Sequence, residues 1–577
     1  MKRYWKYIKP YLPAFICGPI LMIVEVIGEV LLPKFMANII NIGAANRDVP
    51  YIIGMGVMMV ITALLMMLGG IGGAFFAAKA SISFASDLRS DVFDKVQQFS
   101  FANLDKYSTG SLVTRLTNDI TQVQNLINMA MRMMLRAPGM MIGALIMALT
   151  MNAQLAVVVL VVMPILALLI ALVIKIAFPR FEAMQKKLDA LNSNIQEVLI
   201  NVRVIKSFVR GDYEEERFAK SNEELKESSL RAFKVVILNM PIMMFMMNAT
   251  TLAIVWFGGK QILAGSMPVG DLTAFTAYIV QILMSLMMLA MVLLQSSRAI
   301  ASLNRITEVL DTEVDLTDEG CRLPDKMVES GSVEFQNVSF RYYKDNKEPV
   351  LSHINFKIES GEILGIIGST GSGKTTLVQM IPRLYDADEG RVLVDGTDVK
   401  DYSLENLRAG VGMVLQKNVL FSGSIMENLM WGDENASKEE IEQAARAAQA
   451  HDFITSFTEG YGTELGQGGV NVSGGQKQRL CIARALLKKP KILILDDSTS
   501  AVDTATEALI RESFATTLKD TTKIIIAQRI SSVADADKIL VLDEGEIVGL
   551  GTHDSLLAEC EAYQEIYYSQ MDKEVSA

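Results

Sequence analysis

Cysteine is scarce in this chain of 577 residues, and strong positive charge is absent. The cysteines form no CxxC pair and give no disulfide framework, which is typical of a protein in contact with a reducing cytosol. The net charge is −11 and no long basic tract occurs, so the sequence predicts no nucleic-acid partner. The basic, amphipathic N-terminal segment lacks a small-residue cleavage site, which favours a retained helix on the inner membrane surface. The four cysteines are Cys17, Cys321, Cys481 and Cys560.

Long apolar runs, in contrast, are abundant. Hydrophobic residues make up 50% of the chain and the mean hydropathy is +0.29, although 21% of the residues are charged. The charges concentrate in the second half, so we predict a membrane domain at 1–310, a linker at 311–330 and a soluble domain at 331–577. Crossing a bilayer as a helix takes about 20 apolar residues. Six such runs occur, at Leu12–Pro33, Tyr51–Ala78, Ile120–Gln154, Leu155–Ile174, Val235–Gly259 and Leu272–Ser297.

Within the membrane half, lysine and arginine are concentrated in three places. These are the N-terminal segment and the long connections after the second and fourth apolar runs. By the positive-inside rule these segments, and therefore both chain ends, are cytoplasmic. The two long connections carry apolar residues at helical spacing, so we expect the membrane helices to continue into the cytoplasm. They are expected to turn near Lys106–Gly110 and Arg210–Tyr213.

Two acidic residues interrupt the first apolar run. Glu25 and Glu29 are four residues apart and therefore share one face of a helix. Carboxylates at membrane depth face protein or water, so they line a substrate cavity that attracts cations, or they contact a basic residue such as Arg132 or Arg136. The methionine-rich fifth and sixth runs suit either an adaptable binding wall or ordinary packing.

The soluble half begins with a strand pattern followed by a glycine-rich loop and a helical run. The loop matches G-x-x-x-x-G-K-[ST], in which backbone N–H groups surround phosphate oxygens. Lys374 would reach the β and γ phosphates and Thr375 would hold Mg²⁺. The loop and the residue after it are Gly368, Ser369, Thr370, Gly371, Ser372, Gly373, Lys374, Thr375 and Thr376.

A second buried strand, Lys491–Asp496, ends in a carboxylate that would bind Mg²⁺. Between the loop and this strand, a Ser-Gly-Gly-Gln segment opens a helix. With six preceding spans, this order of motifs resembles the ABC superfamily over essentially the whole chain. It looks like a half-transporter of the exporter type, closest to the degenerate-site subunit of heterodimeric bacterial multidrug exporters. The implied fold is a six-span helical domain with long intracellular helices, plus an α/β nucleotide-binding domain with a helical subdomain.

The resemblance assigns further roles and implies ATP and Mg²⁺ as cofactors. Tyr342 stands where an aromatic residue stacks on adenine, and Gln416 stands where a glutamine links Mg²⁺ to the membrane domain. Ser500–Asp503 matches the D-loop, and Asp105–Gly110 and Arg210–Asp212 match the coupling helices. The signature, which contacts the ATP bound by the other subunit, consists of Ser473, Gly474, Gly475 and Gln476.

Two positions depart from the family pattern. The residue after Asp496 is normally a glutamate that activates water, but here it is the shorter Asp497. Gln528 stands where the family has the switch histidine, and a neutral amide supplies neither positive charge nor imidazole proton chemistry. Together the changes predict a site that binds ATP and hydrolyses it poorly.

The resulting hypothesis is a heterodimer in a bacterial inner membrane that exports hydrophobic or amphipathic small molecules. This chain's signature would complete a hydrolytic site on a second half-transporter. A homodimeric exporter or lipid flippase is one alternative, and an ATP-gated regulatory membrane protein is another. Hydrolysis by the chain alone, or transport by the complete complex, would separate these alternatives.

Overall fold

The computed structural model describes residues 3–343, 348–497 and 502–575. The chain divides into two compact units. One contains Met1–Gln97 and Thr109–Asp311, and the other contains Gln98–Ser108 and Thr312–Ala577. The short segment Gln98–Ser108 therefore belongs with the second unit, although it lies between two stretches of the first.

The first unit is helical, with two π-helical turns at Ile39–Ala44 and Arg115–Asp119. Six of its helical stretches are long and apolar enough to cross a membrane, as the sequence predicted. Large apolar side chains such as Leu68 and Ile71 on the second stretch are each 62% exposed, as expected for a surface in contact with lipid. The helices are α1 (Trp5–Ile8), α2 (Leu12–Asn38), α3 (Val49–Gln97), α4 (Phe101–Asp105, in the second unit), α5 (Thr109–Thr114), α6 (Ile120–Met133), α7 (Arg136–Met151), α8 (Ala153–Ile200), α9 (Val202–Ser207), α10 (Gly211–Leu263) and α11 (Val269–Asp311).

Several of these helices far exceed the thickness of a membrane. Helix α3 has 49 residues, which at about 1.5 Å per residue is roughly 70 Å, more than twice the ~30 Å hydrocarbon core. Chain reversals follow α3 and α8 at the short helices α4 and α9. The second reversal occupies residues 208–210, because α10 already begins at Gly211. The predicted cytoplasmic extension of the membrane helices is therefore present.

The second unit is built on a six-stranded sheet of order β12-β11-β3-β10-β9-β6, parallel except for β12. A four-stranded antiparallel sheet (β2-β1-β4-β5) and the short pair β7-β8 complete its strands. The strands are β1 (Val333–Phe340), β2 (Leu351–Ile358), β3 (Ile363–Gly368), β4 (Glu389–Val394), β5 (Thr397–Asp398), β6 (Val411–Val414), β7 (Gly423–Ser424), β8 (Glu464–Leu465), β9 (Ile492–Asp496), β10 (Thr522–Ile526), β11 (Lys538–Asp543) and β12 (Glu546–Gly551).

Helices cover the large sheet and supply much of the apolar core. Strands β9 and β10 are buried at every position, as expected for the centre of a parallel sheet. The helices are α12 (Lys374–Gln379), α13 (Leu404–Gly410), α14 (Ile425–Met430), α15 (Lys438–Ala447), α16 (His451–Ser456), α17 (Gly474–Leu487), α18 (Thr504–Thr517), α19 (His553–Glu559) and α20 (Glu561–Val575).

The segment after α11, which the sequence suggests is a linker, is packed within the second unit. Leu316 and Val328 are buried. Asp395, in the turn after β4, accepts hydrogen bonds from the backbone amides of Glu329, Ser330, Gly331 and Ser332. Burial would raise the pKa of Asp395, but the Ser330 hydroxyl and these amides outweigh it, so the pKa is lowered. The polar composition of this segment therefore does not mean that it is an unstructured linker, because its backbone is fixed by hydrogen bonds to Asp395.

Candidate nucleotide-binding site

The glycine-rich loop lies at the carboxyl end of β3, between that strand and α12. Strands β3, β10 and β9 are parallel neighbours, so their carboxyl ends lie side by side along one edge of the sheet. This edge carries Gly368 from β3, Asp496 from β9, Asp497 just after β9, and Gln528 just after β10. Ligands of open α/β sheets bind at this edge. The topology thus brings together residues that are far apart in the sequence.

Glycine is required within the loop itself. Gly373 has φ +97°, and a Cβ there would meet the Leu351 side chain at 2.8 Å and the Val350 oxygen at 3.0 Å. Gly371 has φ +88° and opens onto free space. Both conformations are disfavoured for residues with a side chain. The loop is therefore held in a shape that exposes backbone to an incoming ligand.

Lys374 folds back over the loop. Its Nζ donates to the backbone oxygen of Gly368 at 2.8 Å and to that of Ser369 at 2.6 Å. Burial lowers the pKa of Lys374, and the nearby carboxylates of Asp496 and Asp497 oppose that shift. A cation held this way is available to phosphate oxygens at the loop.

Asp496 is almost completely buried beside the loop. Its Oδ1 accepts a hydrogen bond from the Thr375 hydroxyl at 3.1 Å. Within the part of the chain that the structure describes, its Oδ2 is buried without a hydrogen-bond partner. Burial raises the pKa of Asp496, the Thr375 hydroxyl lowers it, and the Asp497 carboxylate raises it further. An unpaired buried carboxylate oxygen beside a threonine hydroxyl fits the oxygen ligands that Mg²⁺ prefers.

Asp497 and Gln528 are in direct contact. Gln528 Nε2 donates to Asp497 Oδ2 at 2.6 Å, and the Asp497 backbone amide donates to the Ile526 oxygen at 3.1 Å. Asp497 has φ +47°, an uncommon conformation for a residue with a side chain. The two residues that the sequence analysis singled out therefore form one hydrogen-bonded pair, which follows the carboxyl ends of β9 and β10.

Tyr342 contacts Thr376, the residue after the loop motif, and the sequence did not reveal this contact. Its hydroxyl is 2.8 Å from the Thr376 hydroxyl, and burial raises its pKa. Its ring packs edge-on against Tyr385 at 5.2 Å. Tyr385 in turn donates to Asp105 of α4 at 2.8 Å and packs against Phe101 at 6.1 Å. No motif in the sequence singles out Tyr385.

Of the remaining predicted site residues, those that the structure describes make no hydrogen bond to the glycine-rich loop or to Asp496. Gln416 is exposed in a bend after β6, at the same edge of the sheet. Ser473 and Gln476 bond to each other in a capping box at the start of the 14-residue helix α17. In the predicted D-loop, Ser500 and Ala501 lie outside the described residues, and Asp503 caps α18 by accepting from the Thr506 amide at 2.9 Å.

In the membrane unit, the two glutamates of α2 meet Arg136. Its guanidinium lies 3.2 Å from Glu25 Oε1 and 3.1 Å from Glu29 Oε2. Gln281 Nε2 donates to the Glu29 backbone oxygen at 2.9 Å. Of the two predicted possibilities, the contact with Arg136 is present, and a substrate contact stays a prediction.

Comparisons with known proteins cover both units. The model of the ABC transporter transmembrane region matches residues 15–286, and that of the ABC transporter matches residues 351–500. The "Uncharacterized ABC transporter ATP-binding protein YfiB" of Bacillus subtilis (strain 168) is 43% identical to this chain, and the match covers 100% of both chains. The "Putative multidrug export ATP-binding/permease protein YgaD" of the same strain is 34% identical over 99% of each chain.

A solved structure gives the same result. The structure of a bacterial Atm1-family ABC exporter with ATP bound matches with a TM-score of 0.78 and 26% identity. The match covers 97% of this chain and 98% of that one. The chain therefore belongs to the ABC transporter family, as a multi-pass membrane half-transporter of the exporter type with a cytoplasmic ATP-binding domain.

Proposed function

We propose that this chain is one subunit of a heterodimeric exporter that moves hydrophobic or amphipathic compounds out of the cytoplasm by alternating access. Its own glycine-rich loop, Gly368–Thr375, and the strand that ends in Asp496 form a site that retains ATP and hydrolyses it poorly. Its signature completes the hydrolytic site of a second half-transporter. ATP binding would close the dimer, and hydrolysis at the partner's site would reset it.

The observation that carries the proposal is the hydrogen bond between Gln528 and Asp497. A general base must lie within hydrogen-bond reach of the water that it activates. The Asp497 carboxylate is one methylene shorter than glutamate, and its Oδ2 already accepts from the Gln528 amide at 2.6 Å. Because a neutral amide takes no proton, this pair has neither the reach nor the proton chemistry of glutamate with histidine.

Nucleotide binding uses a different part of the site. Lys374 and the loop amides would hold the phosphates, and Tyr342 would face the adenine. Thr375, Asp496 and Gln416 would hold Mg²⁺, which neutralises phosphate charge when bound. Thr375 and the unpaired Asp496 oxygen support this assignment. A site with intact binding groups and a weakened base retains its ATP.

The start of α17 supports the role toward a partner. The Ser473–Gln476 capping box fixes the first turn of α17. Gly474, in this turn, is exposed, so the start of the helix is accessible from solvent. The N-terminus of a helix favours phosphate through its free N–H groups and dipole. This end of α17 therefore suits the γ-phosphate of ATP bound by another subunit.

The cargo assignment is supported by the similarity to YgaD, which is described as a "Putative multidrug export ATP-binding/permease protein". Arg136 contacts both Glu25 and Glu29. Acidic side chains within a membrane helix would favour a cationic or neutral amphipathic compound over an anion.

The double variant Asp497→Glu with Gln528→His tests the proposal in the complex purified from native membranes through this chain. Restoring a general base should raise turnover at this site by about 10²-fold and shorten the lifetime of its bound ATP. Radiolabelled ATP retention and single-turnover hydrolysis measure both quantities. The Lys374→Ala variant, which should lose ATP at this site, is the control for site identity.

Unchanged retention and turnover in the double variant would contradict the degenerate site. If the unmodified chain alone hydrolysed ATP as fast as the complex, a homodimeric exporter or flippase would replace the heterodimer. If the complete complex moved no dye across vesicles and cargo did not stimulate its ATPase activity, the regulatory alternative would hold.

A further inference from the structure

The turn that carries Gln528 is held from outside the site. This switch turn, residues 528–532, follows β10 and contains a 3₁₀ turn at Ile530–Ser532. Gln528 and Arg529 are exposed, whereas Ile530 is 3% exposed and anchors the turn in the core. The position of the Gln528 amide therefore depends on how the backbone of this turn is fixed.

Gln570 of the C-terminal helix α20 contacts the switch turn with both ends of its side-chain amide. Its Oε1 accepts from the Ile530 backbone amide at 2.9 Å. Its Nε2 donates to the Gln528 backbone oxygen at 2.9 Å. Glutamine supplies one acceptor and one donor at a single amide, whereas a carboxylate only accepts, so this pair of contacts is specific to an amide.

Helix α20 is itself a fixed support. Tyr563 is fully buried, and its hydroxyl lies 2.7 Å from Nδ1 of His553 in α19. Ile566 and Tyr567 of α20 also pack against the apolar core, so the helix is held by packing without the side chain of Gln564. Among the described residues, Gln564 Nε2 donates only to the Leu557 backbone oxygen of α19, at 2.8 Å. On the other side of the switch turn, Arg511 of α18 donates to the Ser531 oxygen at 2.8 Å. The turn is thus tied to two helices.

We propose that Gln570 is a positioning residue that sets the switch turn so that the Gln528 amide meets Asp497. Two successive sets of hydrogen bonds connect α20 to Asp497. Gln570 holds the backbone of the switch turn, and the Gln528 side chain on that turn donates from Nε2 to Asp497 Oδ2. The inference rests on the proposed function, because it matters for ATP retention only if Gln528 and Asp497 face the nucleotide. The C-terminal helix then influences the nucleotide site without touching it.

The contact itself is tested by hydrogen exchange of the full-length chain in lipid nanodiscs. Gln570→Ala should remove protection of the Ile530 amide, because its acceptor is gone. Gln570→Glu should keep that protection, because a carboxylate still accepts. Gln564→Ala is the matched control, a glutamine of the same helix that bonds to α19 instead, and it should leave the Ile530 amide protected. Protection that persists in Gln570→Ala would overturn the inference.

The consequence is tested by ATP release from the complex purified through this chain. Losing both Gln570 hydrogen bonds loosens the switch turn, although Arg511 still holds it. Release of radiolabelled ATP should therefore be roughly three- to tenfold faster in Gln570→Ala. Gln570→Glu should also speed release, because its carboxylate repels the Gln528 oxygen. Gln564→Ala should release ATP at the wild-type rate. Wild-type release from Gln570→Ala, or equal acceleration in Gln564→Ala, would overturn a positioning role.

These results separate the inference from the proposed function. A changed Ile530 exchange with faster release in Gln570→Ala supports the inference. If Asp497→Glu with Gln528→His changes turnover but Gln570→Ala changes neither quantity, the inference alone fails. If the double variant changes nothing, the degenerate site fails whatever the exchange measurement gives.

Discussion

At the scale of single residues, the site is a balance between buried charges of opposite sign. Burial lowers the pKa of Lys374 and raises that of Asp496, so burial opposes the ionised form of both. Each charge supports the other, and the Thr375 hydroxyl supports ionised Asp496. Nucleotide phosphate and Mg²⁺ would supply the additional partners that two buried charges require.

If Asp496 holds Mg²⁺ as proposed, ATP binding in the presence of Mg²⁺ should depend on the protonation of this carboxylate. Its raised pKa means that the carboxylate takes up a proton at a higher pH than the ordinary value near 3.9, so binding is lost earlier on acidification. Thr375→Val removes the hydroxyl that lowers this pKa and should move the midpoint to still higher pH. Thr375→Ser keeps a hydroxyl and should keep the wild-type midpoint. Titrations with a fluorescent nucleotide between acidic and neutral pH measure this midpoint. Equal midpoints for Thr375→Val and Thr375→Ser would contradict a role of the Thr375 hydroxyl in setting the pKa of Asp496.

At the scale of elements, the short helix α4 is the most informative. Phe101–Asp105 has only five residues, but it begins with a capping box at Ser100 and belongs to the nucleotide-binding unit. Its neighbours in the chain, α3 and α5, belong to the membrane unit. Burial and then the Asp105 carboxylate raise the pKa of Tyr385, so its phenol stays protonated and donates to Asp105.

Tyr385→Phe should weaken the coupling between cargo binding and ATP hydrolysis while leaving ATP binding intact. The variant loses a hydrogen bond to a carboxylate, worth roughly 1.5–3 kcal/mol, but keeps the ring that packs against Tyr342. We expect stimulation of ATPase activity by a hydrophobic cation such as ethidium to fall several-fold, with little change in nucleotide affinity. Tyr343→Phe, at an exposed neighbouring tyrosine, is the control. Unchanged stimulation in Tyr385→Phe would argue against coupling through this contact.

At the scale of the whole molecule, the chain presents apolar side chains at the end of a cytoplasmic reversal. Phe208 is 74% exposed and Val209 is 87% exposed, directly after α9. Val209 also has φ +53°, which is unfavourable for a β-branched residue. Exposed apolar groups in a strained turn are typical of a surface that another subunit covers, in agreement with the proposed dimer.

Replacing Phe208 with Ser and Val209 with Asn should therefore reduce assembly with the second half-transporter. Asparagine tolerates positive φ, so the turn itself should remain intact. The mass of the detergent-solubilised complex, measured by light scattering after size exclusion, reports assembly. Val548→Thr alters another exposed apolar residue, on β12, and should assemble normally. A double variant of unchanged mass would show that this turn is not part of the dimer interface.

The sequence by itself determined the six spans, the two-part organisation and the glycine-rich loop. These are local properties: the length of an apolar run, the charge of a loop, and the spacing of glycines and a lysine within eight residues. Asp497 and Gln528 could also be singled out, because the resemblance to ABC exporters implies a glutamate and a histidine at these two positions.

Only the tertiary structure decided which of these residues touch. Gln528 and Asp497 are 31 residues apart and meet because β9 and β10 are parallel neighbours. Gln570 contacts the Gln528 backbone oxygen although the two residues are 42 positions apart in the sequence. Arg136 and Glu29 are in contact at a separation of 107 positions. No local pattern encodes such contacts, because each depends on where packing of the apolar core places a strand end or a helix face. The sequence therefore named Asp497 and Gln528, whereas the fold joined them to each other and to the C-terminal helix.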